Sequence, residues 1–269
     1  MAATNYRLLS DCGMSHPQRL PLSAVIITLN AASSLASCLD ALDFCDEILV
    51  VDSGSTDHTA AIALARGARV MHQDWLGYGP QKQFAVDKAC HDWVLCIDAD
   101  ERVSPALRAA ILQVLADPPH QAYRFPRCNR FLGRYLRHGE GYPDLSLRLF
   151  HRRHARWSED TGHEKVLAQT TVAELTGDLL HDSAETLSSY LGKQDRYTTL
   201  AAQQAYGAGQ RAHIGHLLLS PLLRFIKFYF LRRGFLDGVP GLVHILIGCG
   251  NSFTKHAKII ELQSLSTMT

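Results

Sequence analysis

The fold of this chain is decided by residues 93–101, which read Trp-Val-Leu-Cys-Ile-Asp-Ala-Asp-Glu. The first five residues form a short apolar run, typical of a buried strand, and the run ends abruptly at acidic side chains. Ser104 and Pro105 follow, and a serine before a proline predicts the start of a helix, here over residues 106–115. A buried strand followed by a helix places these carboxylates at the carboxyl end of a sheet, where open α/β sheets bind ligands.

Asp98 and Asp100 are separated by a single alanine. Two carboxylates held close together repel each other unless a cation offsets their charge. Mg²⁺ and Mn²⁺ prefer oxygen ligands and can bridge to phosphates. The pair therefore predicts a site for a divalent cation and a diphosphate. The alternative is a solvated loop after a strand, and these residues alone do not decide between the two.

The composition indicates an intracellular protein with one substantial domain and an appendage. The 269 residues are 46% hydrophobic, and 27 basic against 26 acidic residues give a formal charge of +1. Such a balance gives no overall attraction to nucleic acid. The seven cysteines form no Cys-x-x-Cys pair, which favours reduced thiols. No secretory signal is evident, and no stretch reaches the roughly 20 apolar residues of a membrane span.

Strand and helix patterns alternate four times in the first part of the chain. Strands are expected at 25–29, 47–51, 69–71 and 93–97, with helices at 33–42, 59–66 and 81–89 between them. This alternation predicts a parallel sheet with helices on both faces. Because two of these strands end in acidic loops, we expect the loops to share one crevice.

The pattern changes after Pro118. Residues 123–125 and 145–150 alternate polar and apolar side chains, as half-exposed antiparallel strands do. Basic residues gather in this part of the chain, at Arg124, Arg127, Arg130, Arg134, Arg137, Arg148, Arg152, Arg153 and Arg156. They form either a solvated surface or a face for an anionic substrate.

The C-terminal part is predicted to be helical and amphipathic. Helices are expected at 184–208 and at 222–233, the second starting at Ser220-Pro221, and an apolar segment at 239–253 is interrupted by Pro240 and several glycines. A wide apolar face with aromatic residues and basic flanks favours a helix lying in a bilayer interface. The alternative is a helical pair packed on the domain or on a second subunit.

Three segments together carry a family resemblance. No Gly-x-Gly-x-x-Gly follows the first strand and no P-loop motif occurs, which disfavours both of those nucleotide folds. Val-Ile-Ile-Thr-Leu-Asn (25–30), Val-Val-Asp-Ser-Gly-Ser-Thr-Asp (50–57) and Asp-Ala-Asp-Glu (98–101) resemble, in this order, the family 2 glycosyltransferases. That resemblance implies the α/β, Rossmann-like GT-A fold, which binds nucleotide sugars on a mostly parallel sheet with a small antiparallel part.

Later segments are similar to one subgroup, the lipopolysaccharide core β-1,4-glucosyltransferases. The matching positions are 142–144, 148–150, 162–166, His181, 193–197 and 225–238. The chain departs from the subgroup at Gly139-Glu140-Gly141, where a Gly-Gly-Trp-like sequence is usual. This departure concerns a loop on the acceptor side.

The resemblance implies roles for five side chains that bind the donor and its metal. Thr28, Asp52 and Lys82 would contact the nucleotide, with Asp52 accepting a hydrogen bond from uracil. Lys82 stands at the start of a predicted helix, where a cation favours phosphate, although an exposed helix lysine is the alternative. Asp98 would reach the ribose or the metal, and Asp100 would bind Mg²⁺ or Mn²⁺ directly.

Inverting transfer from a diphosphate needs one carboxylate as a base, because the charge of the leaving group is held by the cation. Glu164 matches the catalytic-base segment of the subgroup, and Asp160 is the second candidate. An ion pair of Glu164 with Arg148 or Lys165 is the structural alternative. His181 is either a core histidine bonded to backbone or a group that closes the donor site.

The expected function is therefore an inverting, metal-dependent transfer of a sugar, with glucose expected, from a UDP-sugar to a heptose of the lipopolysaccharide inner core. The expected domains are a leader at 1–20, a GT-A domain at 21–209 and a membrane-surface region at 210–269. The protein would lie peripherally on the cytoplasmic face of the inner membrane, without nucleic acid and with its oligomeric state open. A nucleotidyltransferase and a non-catalytic, nucleotide-sugar-binding membrane adaptor remain alternatives.

Overall fold

A computed structural model describes residues 20–159, 164–183 and 186–266. The strands are β1 (Leu22–Thr28), β2 (Glu47–Asp52), β3 (Arg69–His72), β4 (Trp93–Asp98), β5 (Glu101–Val103), β6 (Ala122–Phe131), β7 (Arg134–Tyr135), β8 (Asp144–His151), β9 (Ala155–Trp157), β10 (Val166–Ala168), β11 (Val172–Glu174) and β12 (Leu179–His181). The α-helices are α1 (Ala32–Asp40), α2 (Thr59–Ala65), α3 (Tyr78–Lys88), α4 (Pro105–Val114), α5 (Leu187–Gly207), α6 (Ile214–Phe225) and α7 (Gly238–Ser266). A π-helix at Ile226–Leu231 and a 3-10 helix at Gly234–Asp237 lie between α6 and α7.

The chain groups into two compact units. The first comprises Met1–Pro126 with Leu145–Leu179, and the second comprises Arg127–Asp144 with Leu180–Thr269. These units are defined by packing, and α5 belongs to the second of them. The functional division expected at residue 209 remains a prediction, and residues 1–19 of the expected leader lie outside the described part.

The first unit contains the expected parallel sheet. Strand β1 pairs in parallel with β2 and with β4, and β2 pairs in parallel with β3. The strands are buried on both faces, with Ile26 in one apolar cluster and Val25 in the other. Full burial of one such side chain contributes about 1.5–3 kcal/mol, so the near-continuous apolar runs specify central strands.

The register of this sheet brings the polar strand ends together. Thr28 is paired with Asp52, and Ile27 is paired with Asp98. The carboxyl ends of β1, β2 and β4 therefore lie at one edge of the sheet. The two acidic loops therefore start from the same edge, as a shared crevice would require, and the crevice itself remains a prediction.

The expected antiparallel part is also present. Strand β8 runs antiparallel to β4, with Leu149 opposite Leu95, and β9 pairs antiparallel with β10. The strand order through the large sheet is β3-β2-β1-β4-β8-β6-β12-β5. Because β8 is the neighbour of β4, its side chains can reach the acidic end of that strand.

The start of α4 agrees with the sequence signal. Ser104 is the N-cap, and its Oγ accepts a hydrogen bond from the backbone N–H of Leu107 at 3.3 Å. Pro105 occupies the first turn, where its missing N–H costs no helical hydrogen bond.

The C-terminal helices differ from the sequence expectation. Helix α6 begins at Ile214, capped by His213, and it passes through Pro221 instead of starting there. Proline signals a first turn in sequence, but here the His213 cap fixes the start, and a π-helix follows the proline. Helix α7 is continuous, because Pro240 lies in its first turn and breaks nothing.

The apolar segment Ile214–Leu231 covers α6 and the π-helix. Its 18 residues form a helical stretch that is long and apolar enough to cross a membrane, and none of it is buried in the described structure. The stretch is shorter than the roughly 20 apolar residues expected of a span and contains Arg224 and Lys227, so the expectation that no stretch reaches that length is not contradicted. The start of its helix at Ile214, before Ser220, was not predicted.

Candidate active site

Asp52 organises the loop that follows β2. Its Oδ1 accepts from the hydroxyls of Thr28, at 2.9 Å, and Ser55, at 2.5 Å. Its Oδ2 accepts from the backbone N–H groups of Gly54, at 3.1 Å, and Ser55, at 2.8 Å. A carboxylate offers about four acceptor positions, and these four bonds use them. The contact of Asp52 with uracil remains a prediction, and it requires exchange of one of these bonds.

The loops after β1 and β2 are joined to each other. Asn30 Oδ1 accepts from the backbone N–H of Thr56 at 2.9 Å, and Asp57 Oδ2 accepts from that of Ala32 at 3.1 Å. The Thr59 hydroxyl donates to Asp57 and lowers the pKa of that carboxyl below its usual value. Hydrogen bonds therefore link the loops that follow β1 and β2, so these are not two independent solvated loops.

Lys82 connects two of the expected site residues. Its Nζ lies 3.0 Å from Asp98 Oδ1 and 3.6 Å from Glu164 Oε1. Lys82 is only 7% exposed, so the alternative of an exposed helix lysine is wrong. The structure brings together the lysine, the first aspartate of the acidic motif and the candidate base.

Arg148 is a site residue whose role the sequence did not predict. From β8, its Nη2 lies 2.9 Å from Asp98 Oδ2 and 3.3 Å from Glu101 Oε1. Glu101 is fully buried and also accepts from the backbone N–H of Asp98 at 2.9 Å. Burial opposes the charge of Arg148, but Asp98 and Glu101 outweigh it and raise the pKa of the guanidinium above its usual value. From the sequence, Arg148 was placed in a general basic set and named as an alternative ion-pair partner of Glu164, but its pairs with Asp98 and Glu101 were not predicted; its position in an alternating strand was the available signal.

The rest of the basic set behaves differently. Arg152 and Arg153 both pair with Asp92, at 2.9 Å each, and Arg153 is largely exposed. For Arg153 the solvated-surface interpretation fits, whereas Arg152 is half-buried and also donates to the carbonyl of Ala89 at 2.8 Å.

The indole ring of Trp157 makes cation–π contacts with both buried cations, Lys82 and Arg148. Its ring lies 4.7 Å from Lys82 Nζ and 5.5 Å from the Arg148 guanidinium carbon. Its indole N–H donates to Cys96 Sγ at 3.4 Å. Cation–π contacts hold both cations in place, and burial raises the pKa of the Cys96 thiol to about 11. Cys96 therefore stays protonated near neutral pH and is a packing group.

The contacts of Asp98 and Asp100 bear on the expectation that they bind a divalent cation. Both oxygens of Asp98 are in ion pairs, with Lys82 and Arg148, so metal ligation by Asp98 requires exchange of one pair. Asp100 is half-buried in the turn between β4 and β5. Within residues 20–159, 164–183 and 186–266, no cluster of three His, Cys, Asp or Glu side chains is arranged to hold a metal alone. Mg²⁺ is commonly held by one or two carboxylates plus substrate phosphates, and Asp100 with a diphosphate fits that pattern.

The remaining expected residues lie as follows. Glu164 is a quarter exposed, and its ion pair is with Lys82. Asp160, the second candidate base, lies outside the described residues. His181 belongs to the second unit, is half-buried and bonds through Nδ1 to Asn129 Oδ1 at 2.8 Å, so the interpretation as a fully buried core histidine does not fit.

A family model for glycosyl transferase family 2 matches residues 23–170. The lipopolysaccharide core biosynthesis glycosyltransferase LpsC of Rhizobium meliloti is 33% identical over 92% of this chain and 94% of its own length. An uncharacterized glycosyltransferase of Rickettsia typhi is 30% identical over 90% of this chain and 87% of its own.

Two solved structures are similar to part or to most of the chain. Glucosyl-3-phosphoglycerate synthase from Mycobacterium tuberculosis, solved with Mn²⁺, UDP and glucosyl-3-phosphoglycerate, is 28% identical over 41% of this chain and 44% of that one, with a TM-score of 0.36. S. aureus TarS (residues 1–349) is 12% identical over 91% of this chain and 92% of that one, with a TM-score of 0.48. Because the family model spans more than half of the chain and the relatives align along most of it, the chain belongs to glycosyltransferase family 2 and is a glycosyltransferase of GT-A-like α/β fold.

Proposed function

We propose that this protein transfers a sugar, glucose by preference, from a UDP-sugar to a heptose of the lipopolysaccharide inner core, with inversion and with Mg²⁺ or Mn²⁺. The observation that carries the proposal is Lys82, whose ammonium group lies between Asp98 and Glu164. The name of the Rhizobium relative supports the choice of acceptor.

Lys82 is suited to receive the diphosphate of the donor. An ammonium group has three N–H donors, so it can keep the closer bond to Asp98 and direct another donor to a phosphate oxygen. The longer contact, with Glu164, is the one that a phosphate would replace. Donor binding would thereby free Glu164, so the base would become available only when a donor is present.

Asp100 is the residue that would hold the divalent cation, together with oxygens of the diphosphate. The bound cation would supply Lewis-acid stabilisation of the negative charge on the leaving diphosphate. Arg148 and Glu101 fix the orientation of Asp98, and through Asp98 they fix Lys82.

Glu164 would accept the proton of the acceptor hydroxyl. The acceptor oxygen forms a bond to the anomeric carbon while the bond from that carbon to the phosphate oxygen breaks, which inverts the configuration. A positioned base contributes typically 10²–10⁴-fold to such a step. UDP is released as the second product.

The apolar segment Ile214–Leu231 would hold the protein on the membrane surface. Its most exposed apolar side chains are Ile214, Leu218, Leu219, Leu222, Leu223, Phe230 and Leu231. Arg232 and Arg233 follow directly, and these cations complement the anionic lipids of the cytoplasmic leaflet.

A position in the interface agrees better with Arg224 than a membrane crossing does. Arg224 lies in the middle of the apolar segment and forms an ion pair with Glu140. A crossing helix would carry both charges into the hydrocarbon, which is costly. We therefore propose a peripheral position on the inner face of the inner membrane.

The full-length protein can be tested with a panel of UDP-sugars and truncated lipopolysaccharide acceptors, with and without a chelator. Chelator-sensitive release of UDP together with a β-linked product is expected. Release of pyrophosphate would instead indicate a nucleotidyltransferase. Donor binding without any turnover would support the membrane adaptor.

A further inference from the structure

Two aromatic side chains lie exposed in the first unit, at the edge of the sheet that carries the candidate site. Trp75 and Tyr78 are 48% and 55% exposed, and their rings meet edge to face with 4.8 Å between the centroids. Trp75 lies in the segment that connects β3 to α3, and Tyr78 is the first residue of α3. Because β3 runs parallel to β2, this segment leaves the sheet at the same edge as the loop after β2. We call the two rings the aromatic platform.

A buried glutamine fixes the segment between β3 and α3. The Gln81 side chain is fully buried, and its Oε1 accepts from the backbone N–H of Leu76 at 3.2 Å. Its Nε2 donates to the carbonyl of Gln73 at 3.1 Å and to Ser53 Oγ at 3.0 Å. The backbone N–H of Gln73 also donates to the carbonyl of Asp52 at 3.0 Å. The segment is therefore bonded to the end of β2 and to the residue that follows Asp52.

Helix α3 connects the aromatic platform to the buried cation of the site. Tyr78 and Lys82 are four residues apart on α3, so their side chains lie on the same face of the helix, one turn apart. Lys82 Nζ contacts Asp98 at the end of β4. A ligand with a phosphate at Lys82 would thus have an aromatic surface within about 5.4 Å along the helix axis.

A nucleoside diphosphate has the chemistry that matches these three groups. Its phosphates are anionic and suit the ammonium group of Lys82, while its base is a planar ring that stacks on aromatic side chains. Such stacking strengthens binding by about 5-fold to 100-fold per base. The polar edge of the base would be free for a carboxylate such as Asp52. A membrane contact would account for the exposure of the rings but not for the bonds that hold their segment beside Asp52.

We propose that the aromatic platform stacks against the base of the nucleotide-sugar donor, while Lys82 receives the diphosphate and Asp52 the polar edge of the base. Gln81 is then a positioning residue, since its three hydrogen bonds fix the segment that carries Trp75. The inference rests on the proposed function for the identity of the donor, and it adds the side chains that contact the face of the base.

The first measurement is UDP binding to the full-length protein by calorimetry. Tyr78→Ala and Trp75→Ala should each raise Kd for UDP about tenfold. Tyr78→Phe keeps the ring and should stay within about twofold of wild type. Tyr197→Ala is the matched control, because Tyr197 on α5 is also 55% exposed, and it should bind as the wild type does. Unchanged affinity in both platform variants would overturn the proposal.

Inorganic pyrophosphate with Mn²⁺ separates stacking from support of α3, because it carries the charge of a diphosphate without a base. Tyr78→Ala and Trp75→Ala should bind it within about twofold of wild type. Lys82→Gln should instead lose affinity for pyrophosphate and for UDP alike. An equal loss of both ligands in Tyr78→Ala would mean that the ring only supports the helix, and the stacking role would be wrong.

Tryptophan fluorescence of the wild type gives a readout that requires no variant. Trp93 and Trp157 are buried, so acrylamide in solution quenches mainly Trp75. Saturating UDP should lower the acrylamide quenching constant at least twofold, because a stacked base covers the indole ring. Pyrophosphate should leave the constant unchanged. Equal quenching with and without UDP would contradict stacking at Trp75.

The remaining outcomes separate this inference from the proposed function. If Trp75→Ala binds UDP normally but loses binding to anionic vesicles, the platform contacts the membrane and the stacking is wrong. If the wild type shows the expected binding pattern but transfers no sugar, the proposed function is wrong and the stacking stands. If the wild type transfers sugar and the platform variants bind UDP normally, only the stacking is wrong. If the wild type binds no UDP, both are wrong.

Discussion

Buried Lys82 on α3 forms an ion pair with half-buried Asp98 at the end of β4, with 3.0 Å between Nζ and Oδ1. Asp98 is held on its other side by Arg148, whose Nη2 lies 2.9 Å from Oδ2. The first aspartate of the acidic motif is therefore a carboxylate shared by two cations. At Asp98, these two cations supply compensating charge of the kind that the sequence analysis assigned to a metal ion.

Replacing Glu164, the candidate base, should stop sugar transfer without weakening donor binding. We expect Glu164→Gln to lower kcat by about 10²–10⁴-fold, because the amide cannot accept the proton of the acceptor hydroxyl. UDP binding, measured by calorimetry, should remain within about threefold of wild type. Glu159→Gln is the matched control, since the Glu159 side chain is 86% exposed and forms an ion pair with Arg156, three residues earlier. Unchanged turnover in Glu164→Gln would exclude Glu164 as the base.

Replacing Lys82 should weaken donor binding. Lys82→Gln removes a buried cation that would contact the diphosphate, so we expect Kd for UDP to rise tenfold or more, measured by calorimetry. Lys88→Gln on the same helix should bind UDP as the wild type does, because Lys88 is exposed. Equal affinity of the Lys82 and Lys88 variants would contradict a role of Lys82 at the diphosphate.

Removing Arg148 should destabilise the first unit. Arg148→Met leaves Glu101 buried without its cation, and breaking a buried pair costs about 3–5 kcal/mol of the free energy of unfolding. Urea unfolding measures this loss, and Arg148→Met/Glu101→Gln should recover part of it. Arg153→Met should cost no more than about 1 kcal/mol, since the Arg153–Asp92 pair is exposed on the arginine side. A small effect of Arg148→Met would show that the buried pair is not a major support of the fold.

Metal dependence should distinguish the roles of Asp98 and Asp100. We expect a chelator to abolish sugar transfer, and added Mn²⁺ or Mg²⁺ to restore it. Asp100→Asn should raise the metal concentration needed for half-maximal rate by about tenfold or more. Asp98→Asn should mainly weaken UDP binding, because Asp98 holds Lys82. Full activity after thorough chelation would end the metal-dependent mechanism.

Charges placed on the apolar segment should release the protein from membranes. Leu218→Glu and Leu222→Glu change exposed side chains, at 68% and 54%, so the fold should be retained. Binding to anionic vesicles, measured by sedimentation, should fall about tenfold or more for each. Leu64→Glu on α2, where the leucine is 48% exposed, is the matched control and should bind as the wild type does. Undiminished binding of the Leu218 and Leu222 variants would exclude this segment as the membrane contact.

Local signals in the chain were sufficient for the parallel sheet. The apolar run before Asp98 and the run before Asp52 each identify a central strand, and Ser104-Pro105 identifies the start of α4. These signals depend on neighbouring residues and on burial on both faces of a strand. The start of α6 was misjudged because Pro221 resembles a first-turn proline, whereas the cap formed by His213 gives a weaker sequence signal.

The amino-acid sequence by itself determined the family, the alternation of β1, β2, β3 and β4 with the helices between them, and the acidic ends of β2 and β4. Only the tertiary structure decided that Arg148 and Lys82 share Asp98, and that Glu140 pairs with Arg224. These paired residues are separated by 16, 50 and 84 positions in the chain, and strand pairing and helix packing decide that they meet. The sequence determines which charged residues are present, and the packing of the tertiary structure determines which of them form ion pairs.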